Sequence, residues 1–234
     1  PVAPAPAPVV AAAPAPVVVA PAADCAAAPA AVVASGERDT VVALSKIRKL
    51  TGSHMVMSKG VSPHAFSVVE VDYANVDATR GKVKSEWKAT EGFSLTVDLD
   101  FQGLLVPVVR SADSKRLRAI AREINDLASR ARTRKLSPDE ISGGTFTISN
   151  NGSAGSVLTM PIINQPQVAI LSTDAIVRKP VVAQLPDGGE AIVIHPVGNL
   201  AMSWDHRAFD GAYAAGFLVK VKQLLEHRDW AQEL

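Results

Sequence analysis

The first 36 residues of this chain are almost entirely proline, alanine and valine, which limits what this region can form. Eight prolines fall within the first 29 residues. Because proline fixes φ and lacks an amide hydrogen, such a segment cannot build a helix or the interior of a sheet. It can still adopt extended polyproline-like conformations, which rise about 3.1 Å per residue. We therefore predict a semi-rigid linker over residues 1–36 and a folded domain over residues 37–234.

The composition allows one sizeable hydrophobic core and excludes several classes of protein. Of the 234 residues, 47% are hydrophobic, and the formal net charge is +1. A nearly neutral chain gives no global signal for nucleic acid or a membrane surface, so we expect neither as a partner. No cluster with the spacing of metal ligands is visible, so no metal is expected. Cys25 is the only cysteine, which rules out an internal disulfide and fits a reducing compartment, for which we expect the bacterial cytoplasm.

The spacing of apolar residues predicts both helices and strands. Apolar residues three and four positions apart predict helices over 41–59, 114–137 and 212–226, and the polar stretch 77–91 is expected to be partly helical. Alternating or β-branched runs predict strands over 65–71, 95–100, 104–109, 145–149, 168–172, 191–195 and 200–204. Strands in runs with helices between them indicate an α/β fold, a two-layer sandwich of a mixed β-sheet and helices.

Residues 205–211 read Asp-His-Arg-Ala-Phe-Asp-Gly and place a histidine between two predicted elements. Histidine is the side chain best suited to transfer protons near neutral pH. A buried strand is predicted just before this run and a helix just after it. His206 therefore stands where a strand gives way to a turn, a position from which a side chain can face a cleft. A bare His-x-x-x-Asp spacing occurs by chance in many proteins, so the rest of the chain has to support it.

Three other stretches precede this run in a definite order. They are Ser62-Pro63-His64; residues 103–110, which read Gly-Leu-Leu-Val-Pro-Val-Val-Arg; and residues 135–150, in which Lys-Leu-Ser-Pro-Asp-Glu leads into Gly-Gly-Thr-Phe-Thr-Ile-Ser-Asn. Together with residues 205–211, they resemble the catalytic domain of the dihydrolipoyl acyltransferases. These are the E2 components of the 2-oxoacid dehydrogenase complexes, related in fold to chloramphenicol acetyltransferase. The resemblance extends over most of the chain from about residue 41.

The resemblance implies an enzyme that transfers an acyl group, acetyl or succinyl, between S-acyl-dihydrolipoamide and coenzyme A. It implies that His206 is the general base that takes a proton from the attacking thiol. It also implies that the hydroxyl of Ser149 donates a hydrogen bond to the oxyanion. Thr147 is the near alternative, because it lies two residues earlier on the same face of the strand. Three histidines match no catalytic position and are expected to be solvated or structurally satisfied: His54, His195 and His227.

The resemblance assigns further roles around these residues. Asp210 is expected to hold the turn through an ion pair, as the equivalent carboxylate does in the related acetyltransferase, and Arg48 is the candidate partner. Gly211 is expected to permit an unusual backbone angle or close packing. His64, Asn150 and Gly211 are predicted to lie beside coenzyme A, although for His64 a purely structural role is an equal alternative.

The resemblance also implies partners. We expect a homotrimer or a larger core with the active site between subunits, so that His206 works with Ser149 of a neighbouring copy. The lipoyl group would arrive on a lipoyl domain that this chain does not contain, and the E1 and E3 components would complete the complex. A Pro/Ala-rich linker is typical of this family, where it tethers lipoyl domains to the core. The chain begins with Pro1 rather than methionine, so we expect a piece of a longer protein.

One region departs from the family's pattern. The family carries a long apolar helix, a loop and a strand before the stretch that corresponds to residues 103–110, and residues 88–102 leave too little room for them. The loss of that helix would remove apolar burial worth about 25 cal/mol per Å². A catalytically weakened or inactive core scaffold is therefore the alternative function. A standalone acyltransferase acting on a small molecule is a further one, against which the linker argues.

Overall fold

The computed structural model describes residues 43–91 and 105–234. Its helices are α1 (Lys46–Val61), α2 (Ala74–Glu91), α3 (Leu117–Arg132) and α4 (Gly211–His227). Its strands are β1 (His64–Asp72), β2 (Thr147–Asn150), β3 (Ala169–Thr173), β4 (Val177–Gln184) and β5 (Glu190–Asp205). Short 3-10 turns cover Ala112–Ser114, Pro138–Ile141, Gly152–Ala154 and Trp230–Glu233. The predicted linker and the predicted strand over 95–100 lie outside the described residues, as does most of the shortened region.

The strands form one mixed sheet in the order β1-β5-β3-β2, and β4 pairs with the remaining part of β5. β5 is antiparallel to β1, β3 and β4, whereas β2 and β3 are parallel. Helix α4 packs on β1 and β5, and α2 packs on α4. A mixed sheet covered by helices confirms the predicted α/β fold.

The core of the domain lies around the second half of β5. From Val197 to Asp205 this strand has β1 on one side, and over its last residues β3 pairs on the other. Strand side chains pack here against buried residues of α4, and a fully buried aliphatic side chain is worth about 1.5–3 kcal/mol. The cluster consists of Val71, Tyr73, Ala169, Leu171, Leu200, Met202, Trp204, Ala214 and Leu218. The end of β5 is thereby held on both edges and on one face.

Strand β5 joins two segments that the sequence predicts as separate strands, 191–195 and 200–204. On the edge opposite β1, the partner of β5 changes from β3, whose pairing ends at Leu200, to β4, whose pairing begins at Val197. On the β1 edge, the carbonyl of Pro196 accepts a hydrogen bond from the amide of Tyr73 at 2.8 Å. β4 has no counterpart among the predicted strands, since Pro180 argues against a central strand. It pairs with β5 alone, and an edge strand tolerates the missing amide hydrogen.

The predicted strand over 104–109 is wrong in its described part, because residues 105–109 form no regular structure. Pro107 removes one amide donor from this stretch, and the amide of Val108 donates to the carbonyl of Glu140 at 2.8 Å instead of to a strand. The third helix begins at Leu117 rather than near residue 114, since residues 112–114 form a 3-10 turn. The ambiguous stretch 77–91 is helical throughout, within α2.

Helix α1 confirms the first predicted helix but not the burial of its apolar face. Ser45 caps it by accepting a hydrogen bond from the amide of Arg48, and it ends one residue after Gly60. Leu44, Ile47 and Leu50 remain 57%, 52% and 62% exposed. These side chains are thus available to a surface outside the single chain. No helix in the described ranges combines the length and apolar character needed to cross a membrane.

Candidate active site

His206 follows the last residue of β5 and belongs to a tight turn. The amide of Ala208 donates to the carbonyl of Asp205 at 2.9 Å, which closes a four-residue turn with His206 at its second position. The amide of Arg207 donates to Oδ1 of Asp205 at 2.9 Å, so the Asp205 side chain also spans His206. The amide of His206 itself donates to the carbonyl of Pro63 at 3.1 Å. The backbone of the histidine is therefore fixed from both sides.

The imidazole of His206 projects outward from this turn and is exposed. It lies against the indole of Trp204, with 6.2 Å between the ring centroids. Trp204 is buried, and its Nε1 donates to the carbonyl of Phe209 at 3.1 Å across the same turn. Neither ring nitrogen of His206 has a hydrogen-bond partner among the described residues. Both nitrogens can therefore face a bound substrate.

Asp205 and Arg207 flank His206 and form a two-pronged ion pair. Arg207 Nε lies 3.0 Å from Asp205 Oδ1, and Nη2 lies 2.6 Å from Oδ2. Asp205 is buried, whereas most of the Arg207 side chain is exposed. The hydrogen bond from Arg207 holds the pKa of the Asp205 carboxyl far below its usual range, although burial opposes this shift. This ion pair is not among the features predicted from the sequence, although the Asp-His-Arg triplet contains both of its members.

Asp210 caps helix α4, which corrects the predicted ion pair. Its Oδ1 accepts a hydrogen bond from the amide of Tyr213 at 2.9 Å, the geometry of an N-terminal cap. No ion pair joins Asp210 to Arg48 in the described part of the chain, because Arg48 lies on the exposed helix α1. Asp210 therefore stabilises the end of the turn, as predicted, but it does so by binding a backbone amide and not an arginine side chain.

Gly211 is the first residue of α4, and its predicted structural role is not found. Its φ is not in the left-handed region, and a Cβ added there would meet no heavy atom within 4 Å. Neither an unusual backbone angle nor close packing therefore requires glycine at this position. The predicted place of Gly211 beside coenzyme A stays a prediction.

Ser149 and Asn150 end strand β2. The Ser149 hydroxyl is half-buried and has no hydrogen-bond partner among the described residues, whereas the hydroxyl of Thr147 donates to Gln167 at 2.6 Å. A free hydroxyl fits the predicted oxyanion donor better than an engaged one. Asn150 accepts the amide of Gly152 through Oδ1 at 3.0 Å and so shapes the loop that follows. A Cβ on Gly152 would lie 2.8 Å from the carbonyl oxygen of Asp174, which leaves room only for glycine.

Ser149 and His206 of one chain lie far apart. Ser149 pairs with Ser172 on β3, and Ser172 pairs with Ala201 on β5. His206 lies beyond Ala201 along β5, a displacement of roughly 16 Å at 3.3 Å per residue. Two strand spacings add about 10 Å sideways. The two candidate catalytic groups therefore cannot act on the same atom within one chain.

His64 lies at the start of β1, next to the His206 turn. Its Nε2 accepts the amide of Ile163 at 3.1 Å, so its Nδ1 carries the proton and donates to the carbonyl of Ser62 at 2.8 Å. Both ring nitrogens are thus used within the chain, which favours the structural role for His64. Its position beside coenzyme A stays a prediction.

The other histidines are engaged or lie on the surface. His54 contacts the Oδ1 of Asn164 at 3.2 Å, and His195 contacts the Oδ2 of Asp72 at 2.6 Å. His227 ends helix α4 and is exposed. Residues 43–91 and 105–234 contain no group of three or more His, Cys, Asp or Glu side chains that could hold a metal ion.

Comparison with known protein families shows the family to which the chain belongs. Residues 92–232 match the family model of the 2-oxoacid dehydrogenases acyltransferase catalytic domain, over more than half of the chain. The chain belongs to this family. It is 37% identical to the lipoamide acyltransferase component of the branched-chain alpha-keto acid dehydrogenase complex of Bacillus subtilis, over 84% of this chain and 54% of that protein. The chain spans about half the length of the curated relatives it matches.

Solved structures show the same fold. A probable dihydrolipoamide acetyltransferase from Listeria monocytogenes superposes with a TM-score of 0.75 and 34% identity, over 83% of this chain and 98% of that chain. The dihydrolipoamide acetyltransferase of Azotobacter vinelandii superposes with a TM-score of 0.73 and 28% identity, over 81% of this chain and 92% of that chain. The latter structure was determined to examine the catalytic roles of a serine, a histidine and an asparagine.

Proposed function

We propose that this chain transfers an acyl group between S-acyl-dihydrolipoamide and coenzyme A within a 2-oxoacid dehydrogenase complex. The observation that carries the proposal is the exposed imidazole of His206, whose ring nitrogens have no partner among the described residues, on a rigid turn at the end of a buried strand. Acyl transfer between two thiols needs a base that makes a thiolate and a donor that stabilises an oxyanion. The family membership of the chain supports this chemistry.

His206 would supply the proton transfers. The imidazole accepts the proton of the attacking thiol as its sulfur bonds to the thioester carbonyl carbon. It returns that proton to the departing thiolate when the original carbon–sulfur bond breaks, so protons and charges balance over the cycle. The same residue serves both directions, because either thiol can attack.

The Ser149 hydroxyl would donate a hydrogen bond to the carbonyl oxygen as it gains negative charge. The Azotobacter enzyme offers a parallel, since its histidine and asparagine are four residues apart, as are His206 and Asp210 here. An aspartate replaces the asparagine in this chain, which fits the capping role of Asp210. The serine of that enzyme has its candidate counterpart in Ser149.

We further propose that the active site forms between copies of the chain in a homotrimer or larger core. The separation of Ser149 from His206 supports this, because a single chain cannot bring the two groups together. A two-stranded arm, made of β4 and residues 190–196 of β5, offers the surface for assembly. Val182, Ile192 and Ile194 on one face of the arm are 64%, 80% and 63% exposed. A free two-stranded ribbon is marginally stable in water, so a neighbouring copy would cover it.

The partners follow from this assignment. A lipoyl domain would present its lipoyl group to His206, and the E1 and E3 components would load and reoxidise it, in the cytoplasm of a bacterium. Acetyl or succinyl stays the predicted acyl group. The Bacillus subtilis relative belongs to a branched-chain complex, so a test must include that acyl class as well.

The test is thioester formation from acetyl-CoA, succinyl-CoA or isobutyryl-CoA with free dihydrolipoamide. We expect turnover with at least one of these donors and its loss in His206→Ala. Absence of turnover with all three donors, from a folded and assembled protein, would contradict the proposal and favour a core scaffold without catalysis. The preferred donor would identify the acyl group.

A further inference from the structure

The turn that carries His206 depends on one buried carboxylate. Asp205 receives three hydrogen bonds from Arg207, through its backbone amide, Nε and Nη2. An aspartate that accepts the amide two residues ahead sets the backbone of the residue between them, which here is His206. The guanidinium then closes a second bridge over the same residue. The backbone of His206 is therefore bridged by an ion pair between its two neighbours in sequence.

Asp205 is held from the other side by parts of the chain distant in sequence. Its amide donates to the carbonyl of Val168 at 2.8 Å, and the nearby Ser62 hydroxyl helps to lower the pKa of its carboxyl. The amide nitrogen of the Gln165 side chain donates to the Ser62 oxygen at 2.6 Å. Asp205 is thus tied to the stretch before β1 and to the loop before β3. Rotation of the Asp205 side chain would break its three hydrogen bonds from Arg207, whereas the backbone bond to Val168 would remain.

We propose that Asp205 and Arg207, with Ser62 behind them, form a positioning clamp that aims the imidazole of His206. This inference rests on the proposed acyl transfer and deepens it, since it assigns residues that orient the base without touching substrate. A displacement of about 1 Å in a catalytic group can cost 10²-fold in rate. Loss of the clamp therefore lowers kcat, while the binding of either substrate is unchanged.

The geometry requires arginine rather than any cation at position 207. A planar guanidinium offers two parallel N–H groups to the two carboxylate oxygens, whereas a lysine ammonium offers a single point of contact. Arg207→Lys keeps the charge and the backbone amide bond but loses the fork. Arg207→Ala loses both side-chain bonds. The two variants therefore weaken the contact with Asp205 to different degrees and leave His206 itself unaltered.

The test measures kcat and KM for acyl-CoA and dihydrolipoamide in the assembled protein. We expect kcat to fall about 10-fold in Arg207→Lys and about 100-fold in Arg207→Ala, with each KM within about twofold of wild type. Arg122→Lys is the matched control, because Arg122 of α3 makes the same two-pronged contact with Glu91 of α2, outside the turn that carries His206. Its kcat should equal that of wild type. If Arg207→Ala does not fold, Arg207→Lys and Ser62→Ala carry the test.

Two kinetic results would overturn the clamp. Unchanged kcat in Arg207→Ala would show that the turn holds without it, and a raised KM with unchanged kcat would make Arg207 a substrate contact. A readout independent of turnover separates this inference from the proposed function. In histidine-labelled protein, Arg207→Lys should shift the NMR signals of the His206 ring and leave those of His195 and His227 in place. An inactive wild type would refute acyl transfer, whereas unshifted His206 signals would refute the clamp.

Discussion

The two halves of strand β5 have the same backbone conformation but opposite surroundings. Residues 197–205 lie inside the sheet between β1 and β3 and are covered by α4, and their side chains are mostly buried. Residues 190–196 pair only with β4, and Ile192 on this half is 80% exposed. One strand therefore supplies a rigid support for His206 at one end and an uncovered apolar surface at the other.

This difference fits the proposal that a single chain can be well folded and still need a neighbouring copy to complete the active site. The buried half fixes His206, the proposed general base, through packing and hydrogen bonds that belong to the chain itself. The exposed half and the apolar face of α1 remain uncovered, and Ser149, the proposed oxyanion donor on β2, lies too far from His206. Assembly of copies would satisfy both needs at once.

The largest expected effect is a loss of activity when His206, at the end of the buried half of β5, is replaced. His206→Gln should lower kcat by about 10²–10⁴-fold, because general base catalysis contributes that much. The fold should persist, since the imidazole is exposed and its ring nitrogens make no hydrogen bond to the described residues. Steady-state kinetics together with circular dichroism provides the check. Activity near that of wild type would show that the buried half of β5 supports no catalytic base.

Leu200→Ala tests the packing of the buried half. Removal of a buried leucine side chain should lower the free energy of unfolding by about 2–5 kcal/mol, at every protein concentration. Denaturant unfolding monitored by the fluorescence of the tryptophans measures it. A loss below about 1 kcal/mol would mean that the two halves of β5 do not differ as described.

Ile192→Lys tests the exposed half. A charge on the arm should prevent a neighbouring copy from covering it, so the assembly should dissociate and activity per chain should fall with it. Gln223→Lys is the matched control, since Gln223 is polar, exposed and lies on helix α4 rather than on the arm. Sedimentation velocity distinguishes the two variants. An intact assembly in Ile192→Lys would exclude the arm as the assembly surface.

The smallest effect concerns pH and Asp205. Its pKa is depressed in the folded chain, so its ionised form adds stability that is fully present above the unfolded pKa of about 3.9. That contribution is lost as pH falls through the depressed value. The stability difference between wild type and Asp205→Asn should therefore shrink with acidification below about pH 4. Urea unfolding at several pH values measures it, and a difference independent of pH would contradict the ion pair.

Local patterns account for the parts of the molecule that the sequence predicts. The aromatic and β-branched residues within 65–71, which are Phe66, Val68, Val69 and Val71, mark β1, and the apolar run before Asp205 marks the buried half of β5. The position of His206 between a strand and a helix follows from the same patterns, because each depends only on neighbours in sequence.

The missed features depend on contacts between distant residues. β4 contains Pro180 and is stable only as the edge partner of β5. The apolar residues of α1 fit a buried face, yet the single chain leaves Ile47 uncovered. The pairing of Asp205 with Arg207 requires a turn, and the separation of Ser149 from His206 requires the strand register. No periodicity in the sequence encodes these relations.

The measurement that tests the central claim most directly is complementation between two inactive variants. Ser149→Ala and His206→Gln are co-expressed in equal amounts with different tags, and mixed assemblies are purified through both tags. If each site takes its base from one copy and its oxyanion donor from another, every mixed trimer has one intact site in three, and a large randomly mixed core has about a quarter of its sites intact. We predict that dihydrolipoamide acyltransferase activity returns to about a quarter to a third of wild type. Mixed assemblies as inactive as either parent would contradict a site shared between copies.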